Sequence, residues 1–434
     1  MKSFMIIITF IFASCSSTKI VSSRPESNYG FSIIQGNTNE SSAIFRIVYP
    51  KKLKVTYNVT NSKGKIFEVE ELKAFKRKHS EFKVDHILVK NLSLGENYTL
   101  SLSSDKKRWK DQRNFKALDT KKDELSILVA SCMNDSFNDI GNEIWPKAFK
   151  HNPDVTFLIG DNIYADTYSG IYLGSAYPVT PNHLWNRYVD HAMTMKVYRM
   201  KNLTPTYVTW DDHDYGVNNG GKNYKYKKEA KKILNIFFPR VKGDNFSYGP
   251  GVSTKLQLNK MNFLFLDGRT FRSKKGKTNG SHFGKKQDSW IQKNLTKTNL
   301  NWLISGDQFF GGYHRWESFQ GDHPKTFERF LSNIKSSESK VVFMSGDRHL
   351  IEIMKIPENK IGHKTFEYTI SGVHTKMYPG SLNRDPNPLR IGGFDGVANY
   401  AIIRTKTEGN KINIQFEGYS NEGLEVSNTQ DVML

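Results

Sequence analysis

Cys132, Asp161, Tyr164, Asp212, His213, Asp347 and His349 carry the thiolate, carboxylate, phenolate and imidazole donors best suited to hold a cation or move a proton. Each follows closely on a short apolar run. Ser126-Ile127-Leu128-Val129 leads into Ala130-Ser131-Cys132, and Thr156-Phe157-Leu158-Ile159 into Gly160-Asp161-Asn162-Ile163-Tyr164. Thr206-Tyr207-Val208-Thr209 leads into Trp210-Asp211-Asp212-His213-Asp214, and Val341-Val342-Phe343-Met344 into Ser345-Gly346-Asp347-Arg348-His349. A carboxylate freed from its strand by glycine, as Asp161 is by Gly160, has two oxygens with which to bridge two cations. Two cations about 3.5–4 Å apart would polarise a phosphoryl oxygen and generate hydroxide from water near neutral pH. Arginines beside them would clamp the non-bridging oxygens in bidentate fashion. Arg348 is one candidate; Arg269 and Arg272, after Phe263-Leu264-Phe265-Leu266-Asp267, are others.

Taken singly, each motif has a plainer reading. Asp-Asp-His-Asp reads equally as an acidic helix cap, and Asp347-Arg348-His349 as a surface turn. His86 reads as structural, and His183 and His191 as exposed positions on a helix. It is the recurrence of the pattern four times, always after a strand, that favours one convergent metal site.

The elements that must position these side chains follow from the pattern. Short continuous apolar runs bounded by turn residues are the signature of strands buried on both faces. In open α/β sheets ligands bind beyond the carboxyl ends of such strands. Apolar residues at helical spacing predict helices over 141–151, 183–200 and 222–238, and the tail returns to strand over 366–370, 400–404 and 412–416. The fold class is therefore α/β, two packed sheets flanked by helices. From 29 to 118 the pattern differs: strand-like runs alternate with turns such as Asn61-Ser62-Lys63-Gly64 at the spacing of a small β-sandwich. Leu92 to Leu100 resembles the leucine-to-tyrosine stretch of fibronectin type III modules. The charged stretch 118–123 marks the boundary, with the second domain expected over 124–425.

The 434 residues exceed what one core usually supports, which agrees with two domains. Lys and Arg total 63 against 43 Asp and Glu, a net charge of +20. The lysines are scattered, so a solvated basic surface that attracts anions explains the excess better than a nucleic-acid interface. Residues 1–15 read as a signal segment: Lys2, an apolar run from Met5 to Phe12, and Phe12-Ala13-Ser14-Cys15, which resembles a lipobox. Acylation of Cys15 would tie the protein to a membrane through 16–28, a polar linker; cleavage would release it. Either way export to the bacterial cell envelope is expected. Cys132 is then the one remaining thiol, either a metal-protected ligand or a small buried apolar residue.

Together, Ser131-Cys132, Gly160-Asp161-Asn162-Ile163-Tyr164, Trp210 through Asn218 and Ser345-Gly346-Asp347-Arg348-His349 resemble the PhoD-type alkaline phosphatases, a branch of the calcineurin-like metallophosphoesterases. Asp267-Gly268-Arg269 and Ser371-Gly372-Val373-His374 extend the match. The resemblance implies a two-sheet αββα phosphoesterase domain behind a fibronectin- or Ig-like module, acting as a monomer on phosphate mono- or diesters. It implies a centre of Fe³⁺ and Ca²⁺, with Cys132, Asp161 and Tyr164 on the ferric side and Asp161 bridging. Asp212, Asp347, His349 and Asn218 would complete the ligands, and His213 would be the general acid, with Arg348 and Arg269 on the phosphate. Asp214 departs from the family, where glutamate is common. Two other functions remain open on the sequence: a surface-anchored binding lipoprotein with an inactive phosphatase-like domain, and an exported nuclease. Nucleic acid is otherwise not expected as a partner.

Overall fold

The computed structural model of the protein describes residues 30–105, 109–168, 171–172, 179–276 and 280–434. The expected signal segment, Cys15 and the linker lie outside the described residues. The first eight strands form two antiparallel four-stranded sheets. One is ordered Ser32–Thr38, Ala43–Pro50, Phe82–Val89, Val69–Lys76; the other Ile66–Phe67, Val55–Asn61, Asn97–Ser104, Lys110–Lys116. In-out alternation is clearest in Asn97–Ser104, where Tyr98, Leu100 and Leu102 point inward beside Phe45, Ile47 and Phe115. Tyr98 is buried, and its hydroxyl accepts the Ser93 N–H at 2.7 Å, pinning the turn before its own strand.

Two larger sheets follow. A six-stranded sheet has the order Thr206–Thr209, Val155–Ile159, Glu124–Ala130, Asn399–Glu408, Lys411–Ser420, Leu424–Met433. An eight-stranded sheet contains the parallel series Met261–Phe265, Leu300–Ser305, Val341–Ser345, Thr365–Ile370. Their facing sides share one apolar core: Ile127, Val129, Phe157 and Ile159 from the first meet Phe263, Phe265, Trp302 and Met344 from the second. Helices cover the outer faces. Asn138–Phe149, Pro181–Thr194 and Lys227–Phe237 seal the six-stranded sheet, and Gly284–Asn294 and Pro324–Ser337 the other. This is the layering that the apolar runs predict.

The module of residues 30–117 is tied to the rest by buried polar contacts. Arg113 donates to the carbonyl of Met200 at 2.8 Å, and His86 Nε2 lies 2.7 Å from Ile236 O. The helices differ in detail from the expectation. The second ends at Thr194 because Met195 turns to extended backbone (ψ 135°), and Lys196–Arg199 continues as a 3-10 turn. The third begins at Lys227 rather than 222, after the Gly221–Tyr224 turn. His191 is buried, not exposed: its Nε2 lies 3.1 Å from Met133 O on the helix's inward face. His183 is half-buried, 3.1 Å from Ala165 O.

Candidate metal centre

The four strand ends meet at one edge of the paired sheets, and the backbone there is held in an uncommon state. Cys132, Asp161, Asp347 and His349 all adopt positive φ (57°, 50°, 69° and 52°), a left-handed conformation that non-glycine residues rarely take. Such residues cost about 1–3 kcal/mol each and persist where the surroundings over-determine them, typically at functional sites. Close backbone approach enforces the arrangement. Gly160 has φ 114°, and a Cβ on it would lie 2.9 Å from Gly306 Cα; a Cβ on Gly306 would lie 2.6 Å from Asp211 Cγ. Side chains at either position would push the strand ends apart.

Donor atoms of Asp161, Asp212 and His213 lie within 4.8 Å of one another, and so do those of Asp161, Asp211 and Asp347. Asp161 belongs to both groups. Around them, Cys132 Sγ is 3.5 Å from Asp161 Oδ2 and 3.1 Å from Ser371 Oγ. The Tyr164 hydroxyl lies 3.2 Å from His349 Nε2. His349 Nδ1 is 2.8 Å from the Lys376 carbonyl, which makes Nδ1 the protonated nitrogen and leaves Nε2 as the donor facing the cluster. Asn218 is half-buried. It is the next residue, Asn219, that touches the set, its N–H donating to Asp212 Oδ2 at 2.7 Å.

Electrostatics mark this cluster as one built for positive charge. Burial, reinforced by neighbouring acids, holds the Asp161 and Asp347 carboxyls well above the usual range. Burial pushes the Cys132 thiol up to about 12 and holds the Tyr164 phenol well above its ordinary value. Asp212 runs the other way, to about 2: burial opposes its charge, but His213, Arg269 and the Asn219 N–H outweigh it. Asp211 Oδ2 is buried with no hydrogen-bond partner among the described residues. A thiol, a phenol, four carboxyls and two imidazoles gathered around such an orphaned oxygen suit hard or trivalent cations, which would supply the missing charge.

Two residues without an expected role join the site. Asp166 is fully buried, and its Oδ1 lies 2.6 Å from His213 Nδ1. This contact commits Nδ1 of the imidazole and fixes the ring's orientation. Asp211, 1 % exposed, sits between Asp161 and Arg269. Asp211 stands inside a motif quoted above and Asp166 two residues beyond another; the Asp211-Asp212 doublet was the available signal. Asp214 has a scaffolding part: its carboxylate accepts the N–H groups of Asp211 and Ile163.

The arginines depart from the clamp expectation. Arg269 is fully buried, with Nε on Asp211 at 2.5 Å and Nη1 on Glu317 at 2.7 Å. Arg272 is likewise held, by Asp307 and Glu317. These are counter-ions beneath the cluster, because two carboxylates occupy the faces that a phosphate would need. Arg348 is held by Asp385 through Nη2 at 2.9 Å, yet its Nε and Nη1 have no hydrogen-bond partner among the described residues. Replacing Arg269 by Met is therefore expected to lower unfolding free energy by about 3–5 kcal/mol, since it strands the buried Asp211 carboxylate. A clamp role instead gives lost activity with unchanged stability in urea titration.

No family model matches the chain. Alkaline phosphatase D of Bacillus subtilis (strain 168) is 23% identical over 287 residues, which cover 54% of this chain and 47% of that protein. The chain thus aligns with about half the length of this curated relative. A solved structure titled "Structure of PhoD" superposes with a TM-score of 0.67 at 16% identity, covering 92% of each chain. The fold is that of PhoD, and both comparisons support the PhoD-type resemblance read from the motifs.

Proposed function

We propose that this protein is an exported, metal-dependent phosphoesterase that hydrolyses phosphate mono- or diesters, anchored through Cys15 or released on cleavage. The observation that carries this reading is the sharing of Asp161 between two donor groups, with four of the donor residues in left-handed backbone at strand ends. Cys132, Asp161 and Tyr164 would hold Fe³⁺, and Asp161, Asp212, Asp347, His349 and Asn218 a Ca²⁺-bearing remainder, with Asp211 added to the set. Bound cations supply Lewis-acid polarisation of a phosphoryl oxygen and lower the pKa of water. The chain's own residues do the rest. Asp166 orients His213 so that its Nε2 proton is delivered to the departing ester oxygen. Arg348, with two unpartnered nitrogens, orients the phosphate. Arg269 stabilises Asp211 and Asp212 rather than the substrate. The polar linker, the basic surface and a monomeric state complete the picture of an envelope enzyme. The alternatives of an inert binding lipoprotein or a nuclease have no specific observation in their favour.

The test is metal analysis of the purified protein with paired assays on a monoester and a diester, before and after chelation. A metal-replete protein that cleaves neither overturns the reading. Two further outcomes are expected. Cys132→Ser should abolish the visible charge-transfer absorption of the purified protein and most of its activity, with the circular dichroism unchanged. A fully active, iron-free variant would remove the ferric assignment. Re-addition of metal to stripped protein should release protons, because burial raises the pKa of Cys132, Asp161, Tyr164 and Asp347 in the metal-free pocket and ligation requires their anions. Apparent metal affinity then rises with pH through the neutral range. Calorimetry in buffers of different ionisation enthalpy reads the proton count, and a count of zero would exclude these four as ligands.

A further inference from the structure

The His213 ring lies against Tyr164, centroids 4.1 Å apart and planes at 26°. The Tyr164 hydroxyl meets His349 Nε2, and the His349 ring runs parallel to that of Tyr378, 5.6 Å away and inclined by 12°. Four rings thus form a row from the half-buried His213 to the surface. The last of them, Tyr378, is 43% exposed, and so is Val397, which follows the Gly396 that packs on Pro379. The segment that carries Tyr378 is fastened on both sides. The Lys376 carbonyl meets His349 Nδ1, the Ser381 hydroxyl donates to Tyr378 O at 2.7 Å, and the N–H groups of Gly380 and Leu382 donate to Asp395 at 2.9 and 2.7 Å. Gly372 admits the same segment: a Cβ there would lie 2.7 Å from Met377 Sδ. A rigid backbone that holds a large ring out to solvent, at the edge of a polar cluster, is a preorganised contact rather than a piece of core. The Lys376 ammonium lies over the Tyr378 ring, 5.4 Å from its centroid, on a flexible side chain that an aromatic ligand would have to displace.

We propose that Tyr378 determines specificity at this site, receiving a flat aromatic ring carried by the phosphoester, as in an aryl ester or a nucleoside ester. The inference rests on the phosphoesterase reading above and names the class of ester which that site prefers. The ester group leaves past His213, and the row of rings is the wall that leads from there to solvent. Stacking of one aromatic ring is worth about tenfold in affinity.

Binding tests this without turnover. Calorimetry on the metal-bearing protein would compare methylphosphonate, phenylphosphonate and the 5′-phosphonate of adenosine. At least one aromatic ligand should bind about tenfold more tightly than methylphosphonate; which one does so separates aryl from nucleoside esters. Tyr378→Leu should abolish that gain and Tyr378→Phe should keep it, with metal content equal in all three proteins. An equal affinity for all three ligands in the parent, or a gain that survives in Tyr378→Leu, overturns the proposal. Joint loss of metal and of methylphosphonate binding in Tyr378→Leu also overturns it, assigning the ring to the support of His349. Failure of the parent to hydrolyse any ester counts against the phosphoesterase reading, whereas the ranking of these affinities alone decides the role of Tyr378.

Discussion

Asp161→Asn is expected to empty the whole centre and to lower kcat/KM by at least about 10³-fold, the equivalent of about 4 kcal/mol of transition-state stabilisation. The side chain is 1% exposed, contributes to both donor groups, and has a thiol 3.5 Å from one oxygen and the His213 N–H 3.2 Å from the other. An amide keeps the shape and still accepts from His213. It removes the charge that both cations would share and turns a donor toward Cys132. Loss of metal at both positions together, read by elemental analysis, is the signature of a bridge; loss of one only would make Asp161 a terminal ligand. Misfolding is separable by stability. Burial raises the folded-state pKa of Asp161, so in metal-free protein its ionisation costs stability as pH rises from the unfolded value, about 4, through the folded one. The amide has no such cost. Metal-free Asp161→Asn should therefore be at least as stable as metal-free parent protein at pH 8, by thermal unfolding. A variant that is less stable there would show that its inactivity comes from the fold.

The parts of this molecule that were legible in its sequence are those encoded locally. The runs 126–129, 156–159, 206–209 and 341–344 all lie in strands because continuous apolar residues have nowhere to go but a sheet covered on both faces, and the donors lie where those strands stop. What could not be read was decided by contacts between distant segments. Arg269 follows a strand end as a clamp would, and nothing in its spacing says that Glu317, 48 residues on, covers it. Asp166 gains its place only because the 161–168 segment folds back over the helix that begins at Asp212. His191 looked solvent-facing because its side chain is polar, and the Met133 carbonyl that receives it comes from another loop. The row of rings ending at Tyr378 draws on four separate segments and leaves no periodic trace.

His213→Asn should preserve the metals yet slow hydrolysis by about 10²–10⁴-fold, the usual weight of a positioned general acid. The geometry favours this role over ligation: Nδ1 is committed to Asp166 at 2.6 Å, the ring is stacked on Tyr164, and the backbone N–H already serves Asp161 and Asp212. Burial works against a charged imidazole here, but Asp212, Asp161 and Asp166 outweigh it and hold the pKa well above the ordinary value in the metal-free protein. Cations on Asp161 and Asp212 would withdraw much of that support and return the proton to a transferable range. The discriminating measurement is the leaving-group series. Nitrophenolate departs without a proton, so the variant should lose least on nitrophenyl esters and most on alkyl esters, whose alkoxides are poor leaving groups. Asp166→Asn should reproduce the same slope at smaller amplitude, because it leaves the imidazole in place and disturbs only its tautomer and orientation. A uniform loss across the series, or a fall in metal content with His213→Asn, would make His213 a ligand, consistent with the 4.8 Å clustering of its donor with Asp161 and Asp212. Proton delivery to the leaving oxygen would then have to come from another residue.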